Sequence, residues 1–178
     1  MQVAVFGSSS VADDDPRRLD ARRLGTSIAT AGHTLATGGY GGYMAAVSQG
    51  AAEAGGRVVG VTAPALFPSR EGPNDWVTDE RPAASLAERV GTLIDGSGAV
   101  IALPGAVGTL AELLVAWHGA QIDRAHDRPV RPILAVGDQW QALVADLEAA
   151  HPTARGLVST VASIDEAIRW LAELPEDA

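Results

Sequence analysis

Short, uninterrupted apolar runs alternate with longer amphipathic segments along almost the whole chain, and this pattern constrains the fold most. The runs are Val3–Phe6, His33–Thr37, Arg57–Thr62, Ala99–Leu103 and Pro132–Val136. Helical spacing is found at Pro16–Ala31, Tyr43–Ala54, Ala83–Asp95, Thr109–Arg124, Gln139–Ala149 and Ser163–Leu171. A strand wet on one face alternates apolar and polar residues, whereas a strand covered on both faces is apolar throughout. The pattern therefore predicts an α/β fold: a single doubly wound parallel sheet with helices on both faces and right-handed crossovers. Asp14 and Asp15 before Pro16 mark a helix start, and Gly32 a stop. With 178 residues, the expected organisation is one domain over 1–178.

Composition removes several chemistries. Cysteine is absent, so thiolate nucleophiles and cysteine-ligated metals are excluded. All 13 basic residues are arginine, which excludes a P-loop lysine and a pyridoxal Schiff base. The net charge of −9 disfavours nucleic acid and anionic membranes as partners. The four histidines, His33, His118, His126 and His151, have no metal-ligand spacing, so no metal is expected. Met1–Phe6 lacks a basic leader and no apolar stretch approaches membrane-spanning length, so a cytoplasmic location is expected.

The 20 glycines exceed the usual ~7% and cluster. Gly7–Ser10, Gly38–Gly42 and Pro104–Thr109 each follow a strand run. Ligands of open parallel sheets bind beyond the strands' carboxyl ends, so all three segments are expected at one crevice. Neither of the first two matches G-x-G-x-x-G, which disfavours dinucleotides. In Pro104-Gly105-Ala106-Val107-Gly108-Thr109 the backbone N–H groups before a helix suit a phosphate. Thr109-x-x-Glu112 has capping-box spacing, so Glu112 reads equally well as a helix cap or as a catalytic carboxylate. Arg89 alone reads best as a surface ion pair, and Met44 as core. The proline-rich stretch 63–82 reads as a binding loop or as a stiffened surface excursion.

The motif pair Gly38-Gly39-x-x-Gly42-x-Met44 and Pro104-Gly105-x-x-Gly108-Thr109-x-x-Glu112, with Ala51–Thr62 between them, resembles the LOG ("lonely guy") phosphoribohydrolases over Val3 to about Gln121. The resemblance implies a Rossmann-like homodimer without cofactor. It implies hydrolysis of a nucleoside 5′-monophosphate, such as AMP or a cytokinin nucleotide, to free base and ribose 5-phosphate. It assigns Arg89 and Glu112 to catalysis. Substrate contacts fall to Gly7, Ser8, Gly38, Gly39, Glu71, Gly105, Ala106, Val107, Gly108, Thr109 and His118. Arg89 is expected to grip phosphate or ribose oxygens with two parallel bonds, and the loop around Glu71 and Trp76 to shape the base pocket. Ala106 stands where the family commonly has a second glycine, Arg89 lacks the family's flanking lysine, and His118 replaces a ligand-contacting threonine. These departures keep a second reading open, a non-catalytic carrier similar to molybdenum-cofactor carriers. Val115, Ala116 and Trp117 exceed what one sheet face should bury, which also points to a homodimer.

Overall fold

The computed structural model describes residues 1–174. Seven parallel strands form one sheet: β1 (Gln2–Phe6), β2 (Thr34–Thr37), β3 (Val58–Thr62), β4 (Asp79–Pro82), β5 (Ala99–Ala102), β6 (Ile133–Val136) and β7 (Ser159–Val161). Their spatial order is β4-β3-β2-β1-β5-β6-β7. The chain starts at the centre, winds outward to β4, then crosses to β5 and winds the other way. Neighbours β1 and β5, in register at Phe6 and Ala102, form the switch point where a crevice must open.

Among the described residues six helices cover the sheet: α1 (Arg17–Thr30), α2 (Tyr43–Glu53), α3 (Leu86–Asp95), α4 (Val107–Ala125), α5 (Asp138–Ala150) and α6 (Ile164–Ala172). Strand side chains point alternately to two faces. Val3, Val5, Leu35, Ile101 and Leu134 pack with Leu24 and Ile28 of α1, Val47 of α2 and Leu171 of α6. Ala4, Phe6, Val59, Val100 and Ile133 pack with Leu93 of α3, Leu113 and Trp117 of α4 and Val144 of α5. Both faces are dry, which is why the strand sequences do not alternate. None of the helices among the described residues is long and apolar enough to cross a membrane.

The structure departs from the sequence reading at the sheet edges. β4 lies within the stretch 63–82 that reads as irregular, and β7 follows a short 3₁₀ turn at Pro152–Ala154. Their sequences, DERP and STV, carry no apolar run because edge strands are half-wet. The helix start read at Asp15–Pro16 holds: Asp15 accepts the Arg17 N–H at 2.9 Å, and Pro16 between them already has helical φ −58° and ψ −26°. One local expectation changes. Ala116 and Trp117 are core residues, with the Trp117 indole N–H donating to the Ala154 carbonyl at 2.9 Å. Only Val115 of that trio faces outward, beside Leu114 and Ile122.

Candidate active site

The ends of β1, β2 and β5 meet the N-terminus of α4 around a cavity of about 240 Å³. α4 begins at Val107, and its first intrahelical bond runs from the Leu110 N–H to the Ala106 carbonyl. The N–H groups of Val107, Gly108 and Thr109 are therefore not used within the helix, and with its dipole they make an anion-binding end. The early start also settles the spacing ambiguity at Glu112. Thr109 is the third helical residue, Ala106 precedes the helix without a side-chain cap, and Glu112 sits in the second turn. Glu112 is not a capping residue. True capping pairs lie elsewhere, at Ser85/Glu88 and Ser163/Glu166.

Glu112 instead faces Arg89, with Arg Nη1 and Glu Oε1 3.7 Å apart. Arg89 projects from α3 and is only 6% exposed, so it is no surface ion pair. Its Nε–H donates to the Val61 carbonyl at 2.8 Å and its Nη2–H to the Gly38 carbonyl at 3.0 Å. Two edges of the fork are thus committed to backbone, leaving Nη1 toward Glu112. Arg89 is thereby anchored in the floor of the site, and among the described residues Nη1 makes no hydrogen bond beside the carboxylate. Gly38 is required for the arrangement, since a Cβ there would fall 1.8 Å from Arg89 Nη2.

Burial dominates the electrostatics. It pushes the Glu112 carboxyl up to about 7, with the Arg89 charge pulling against it. Burial likewise draws the Arg89 guanidinium below its usual value, with Glu112 opposing. A carboxyl poised near neutrality beside a fixed cation, in a cleft with an anion-binding wall, suits proton transfer and cation stabilisation.

The loop between β3 and β4 forms the remaining wall. Asn74 ties it down, its Nδ2–H₂ donating to the Gly39 and Tyr40 carbonyls at 3.1 and 3.0 Å. The Ala63 N–H donates to the Tyr40 hydroxyl at 2.8 Å. Phe67 packs edge-on against Tyr40, with ring centres 5.6 Å apart. The Arg70 guanidinium lies 4.3 Å from the Tyr40 ring centre and 4.5 Å from that of Phe67.

Residues 1–122 match the family described as SLOG cluster4 (LDcluster4). The chain belongs to this family. Two relatives named as phosphoribohydrolases support the same membership. The cytokinin riboside 5′-monophosphate phosphoribohydrolase LOG1 of Arabidopsis thaliana is 31% identical, over 97% of this chain and 83% of that one. The cytokinin riboside 5′-monophosphate phosphoribohydrolase of Mycobacterium tuberculosis is 32% identical, over 96% of this chain and 92% of that one. Among solved structures, the molybdenum cofactor binding protein of Rippkaea orientalis superposes with a TM-score of 0.75 at 26% identity, covering 96% of this chain and 94% of that one. The molybdenum cofactor carrier protein of Chlamydomonas reinhardtii shares the fold, with a TM-score of 0.73 at 24% identity over 97% of this chain and 96% of that one.

In this SLOG protein the cavity brings together Gly7, Ser8, Gly38, Arg89, Ala106, Gly108, Thr109 and Glu112. Five other residues expected at the site stand apart. The Gly39 carbonyl holds Asn74, and its N–H donates to Thr37 Oγ1 at 3.0 Å. Gly105 makes the turn, where a Cβ would meet Thr109 Oγ1 at 2.1 Å. The Val107 side chain is 79% exposed, so only its backbone can serve the site. Glu71 is exposed and does not line the cavity; Phe67 and Arg70 take its place. His118, six residues past Glu112, lies on another face of α4 and lines a separate groove with Trp117 and His151. Met44, expected in the core, is buried and lines the cavity as well. Among the described residues no three His, Cys, Asp or Glu side chains gather as a metal site.

Proposed function

We propose that the chain hydrolyses the N-glycosidic bond of a nucleoside 5′-monophosphate, AMP or a cytokinin riboside 5′-monophosphate, releasing free base and ribose 5-phosphate. The observation carrying this reading is the buried Glu112 carboxyl, held near 7 in the cavity and 3.7 Å from Arg89. The 5′-phosphate would sit on the N–H groups opening α4. As the C1′–N bond breaks, its electron pair leaves with the base and positive charge develops on the sugar. Such an oxocarbenium-like state is stabilised by a nearby carboxylate. Glu112 takes a proton from water as the water oxygen bonds to C1′, and a proton is delivered to the departing base nitrogen. A group titrating near the working pH serves both transfers. Arg89 keeps Glu112 oriented and screens its charge. The names of the Arabidopsis and Mycobacterium relatives support the reaction class.

The test is direct: purified protein is incubated with a panel of nucleoside monophosphates, and free base and ribose 5-phosphate are measured. Turnover should rise as pH passes through about 7, because the base form of Glu112 is then populated. Absence of base release from every nucleotide would sink the reading. A second reading is a non-catalytic carrier or sensor of a nucleotide-like ligand or molybdenum cofactor. It is favoured by the likeness to the Rippkaea protein and by Ala106 in the cavity wall. Tight binding without turnover would select it. We also propose a homodimer, supported by the outward Leu114, Val115 and Ile122 of α4. A cytoplasmic place of action accords with a nucleotide substrate.

A further inference from the structure

Arg70 is the one residue of the cavity wall whose charge the mechanism above does not use. It projects from the loop between β3 and β4, half-buried, and lines both the main cavity and a neighbouring one of about 330 Å³. Tyr40 and Phe67 hold it by ring contacts, which leave the in-plane N–H groups of a guanidinium available. Among the described residues its side-chain hydrogen bonding amounts to one long bond, from Nη2–H to Ser9 Oγ at 3.3 Å. A guanidinium carries five donors, so four remain unspent. Arg89 differs in being buried and seated on backbone, with Nε–H on the Val61 carbonyl, one Nη2–H on the Gly38 carbonyl and Nη1 facing Glu112 at 3.7 Å. The loop is not adrift, because Asn74 and Ala63 tie it to Gly39 and Tyr40. A cation with free donors, braced by aromatic rings across a cleft from the opening turn of α4, is built to receive an anion.

We infer that Arg70 is the specificity-determining residue that reads the phosphate of the ligand, pairing from the loop side with the group that α4 holds from the other. The inference rests on the phosphorylated-substrate reading above and deepens it: the site discriminates nucleotide from nucleoside through Arg70 and not through Arg89. Arg70 acts on binding, so its loss appears in KM and Kd, with kcat nearly unchanged.

The experiment compares the parent with Arg70→Met and Arg70→Lys. Calorimetry gives the affinities for AMP, ribose 5-phosphate and adenosine, and steady-state kinetics gives KM and kcat for AMP. Losing a hydrogen bond to a charged group should weaken AMP and ribose 5-phosphate roughly 10- to 100-fold in Arg70→Met, with adenosine unchanged. Arg70→Lys should recover part of the loss, having the charge without the planar fork. Equal weakening of AMP and adenosine would make Arg70 a wall for the base and overturn the inference, as would unaltered affinity for all three. If the parent binds AMP through Arg70 yet releases no base, the hydrolase reading fails and the inference stands. If the parent turns AMP over and Arg70→Met keeps the parent's preference for AMP over adenosine, the reverse holds. A parent that binds neither AMP nor ribose 5-phosphate overturns both.

Discussion

Replacing Glu112 by Gln should make the protein more stable at alkaline pH and change nothing at acid pH. The Glu112 carboxyl titrates near 4.5 in an unfolded chain and near 7 in the fold. Between those values the folded protein keeps a proton that the unfolded chain has released, so stability falls as pH rises. Each pH unit of that gap is worth about 1.4 kcal/mol, giving roughly 3 kcal/mol in all. The contribution is fully present below about 4.5 and lost above about 7. Gln is isosteric with the protonated acid and never ionises. Arg89 keeps its backbone partners in either case. The variant should therefore match the parent near pH 4.5 and exceed it by about 3 kcal/mol at pH 8, or roughly 6–12 °C in Tm for a domain of this size. Urea unfolding of both proteins across pH 4.5–8 reads the difference directly, because every other group titrates alike in the two. Turnover should fall by about 10³-fold in the same variant, since the charge that stabilises the sugar cation is gone. A stability difference that stays flat with pH, or a parent that is the more stable protein at pH 8, would refute the claim that burial governs this carboxyl.

Arg89→Lys should lose roughly 10²-fold in kcat/KM and about 2 kcal/mol of stability, because one ammonium cannot satisfy both the Val61 and Gly38 carbonyls and still face Glu112; parallel melting and kinetics would show both losses. Gly38→Ala should push the guanidinium off its seat, since the new methyl would start 1.8 Å from Nη2; turnover should drop with the circular dichroism spectrum retained. Trp117→Phe should cost about 1–2 kcal/mol by leaving the buried Ala154 carbonyl without its donor, measured by urea midpoint. Val115→Glu, with Leu114→Glu, should leave an 18.3 kDa species in sedimentation experiments if α4 pairs two copies, whereas an unchanged oligomer would move the interface elsewhere.

The central sheet was legible because its strands are dry on both sides, and dryness leaves an unbroken apolar run in the sequence. β4 was not, because an edge strand written Asp-Glu-Arg-Pro is half-wet and offers no such run. The convergence of Gly7, Gly38 and Gly108 on one cavity followed from strand–turn–helix order alone. The depth of Arg89 did not follow, because an arginine in an amphipathic helix is normally solvated, and only the tertiary fold presents the Val61 and Gly38 carbonyls to it. Thr109-x-x-Glu112 left a helix cap and a catalytic carboxylate equally open for a related reason. A capping box depends on where the helix begins, and α4 begins two residues before Thr109. The proline-rich loop read as a binding loop or as a surface excursion, and spacing could not say which of Phe67, Arg70 and Glu71 points inward. Phe67 and Arg70 line the cavity, in a loop that Asn74 ties to the Gly39 and Tyr40 carbonyls.

Ala106 shows how a departure at a motif position can alter a site without disturbing its frame. The residue sits at φ −95° and ψ −160°, extended backbone open to any side chain. The turn therefore never required glycine at this point, unlike Gly42, whose φ of 64° and approach to the Ser8 carbonyl exclude a Cβ. The N–H groups of Val107, Gly108 and Thr109 stay where a phosphate needs them. What the substitution adds is a methyl group on a residue that lines the cavity with Gly108 and Thr109. The departure thus bears on which ligand fits against the α4 terminus, while the anion-binding end itself and the Arg89–Glu112 pair behind it are preserved.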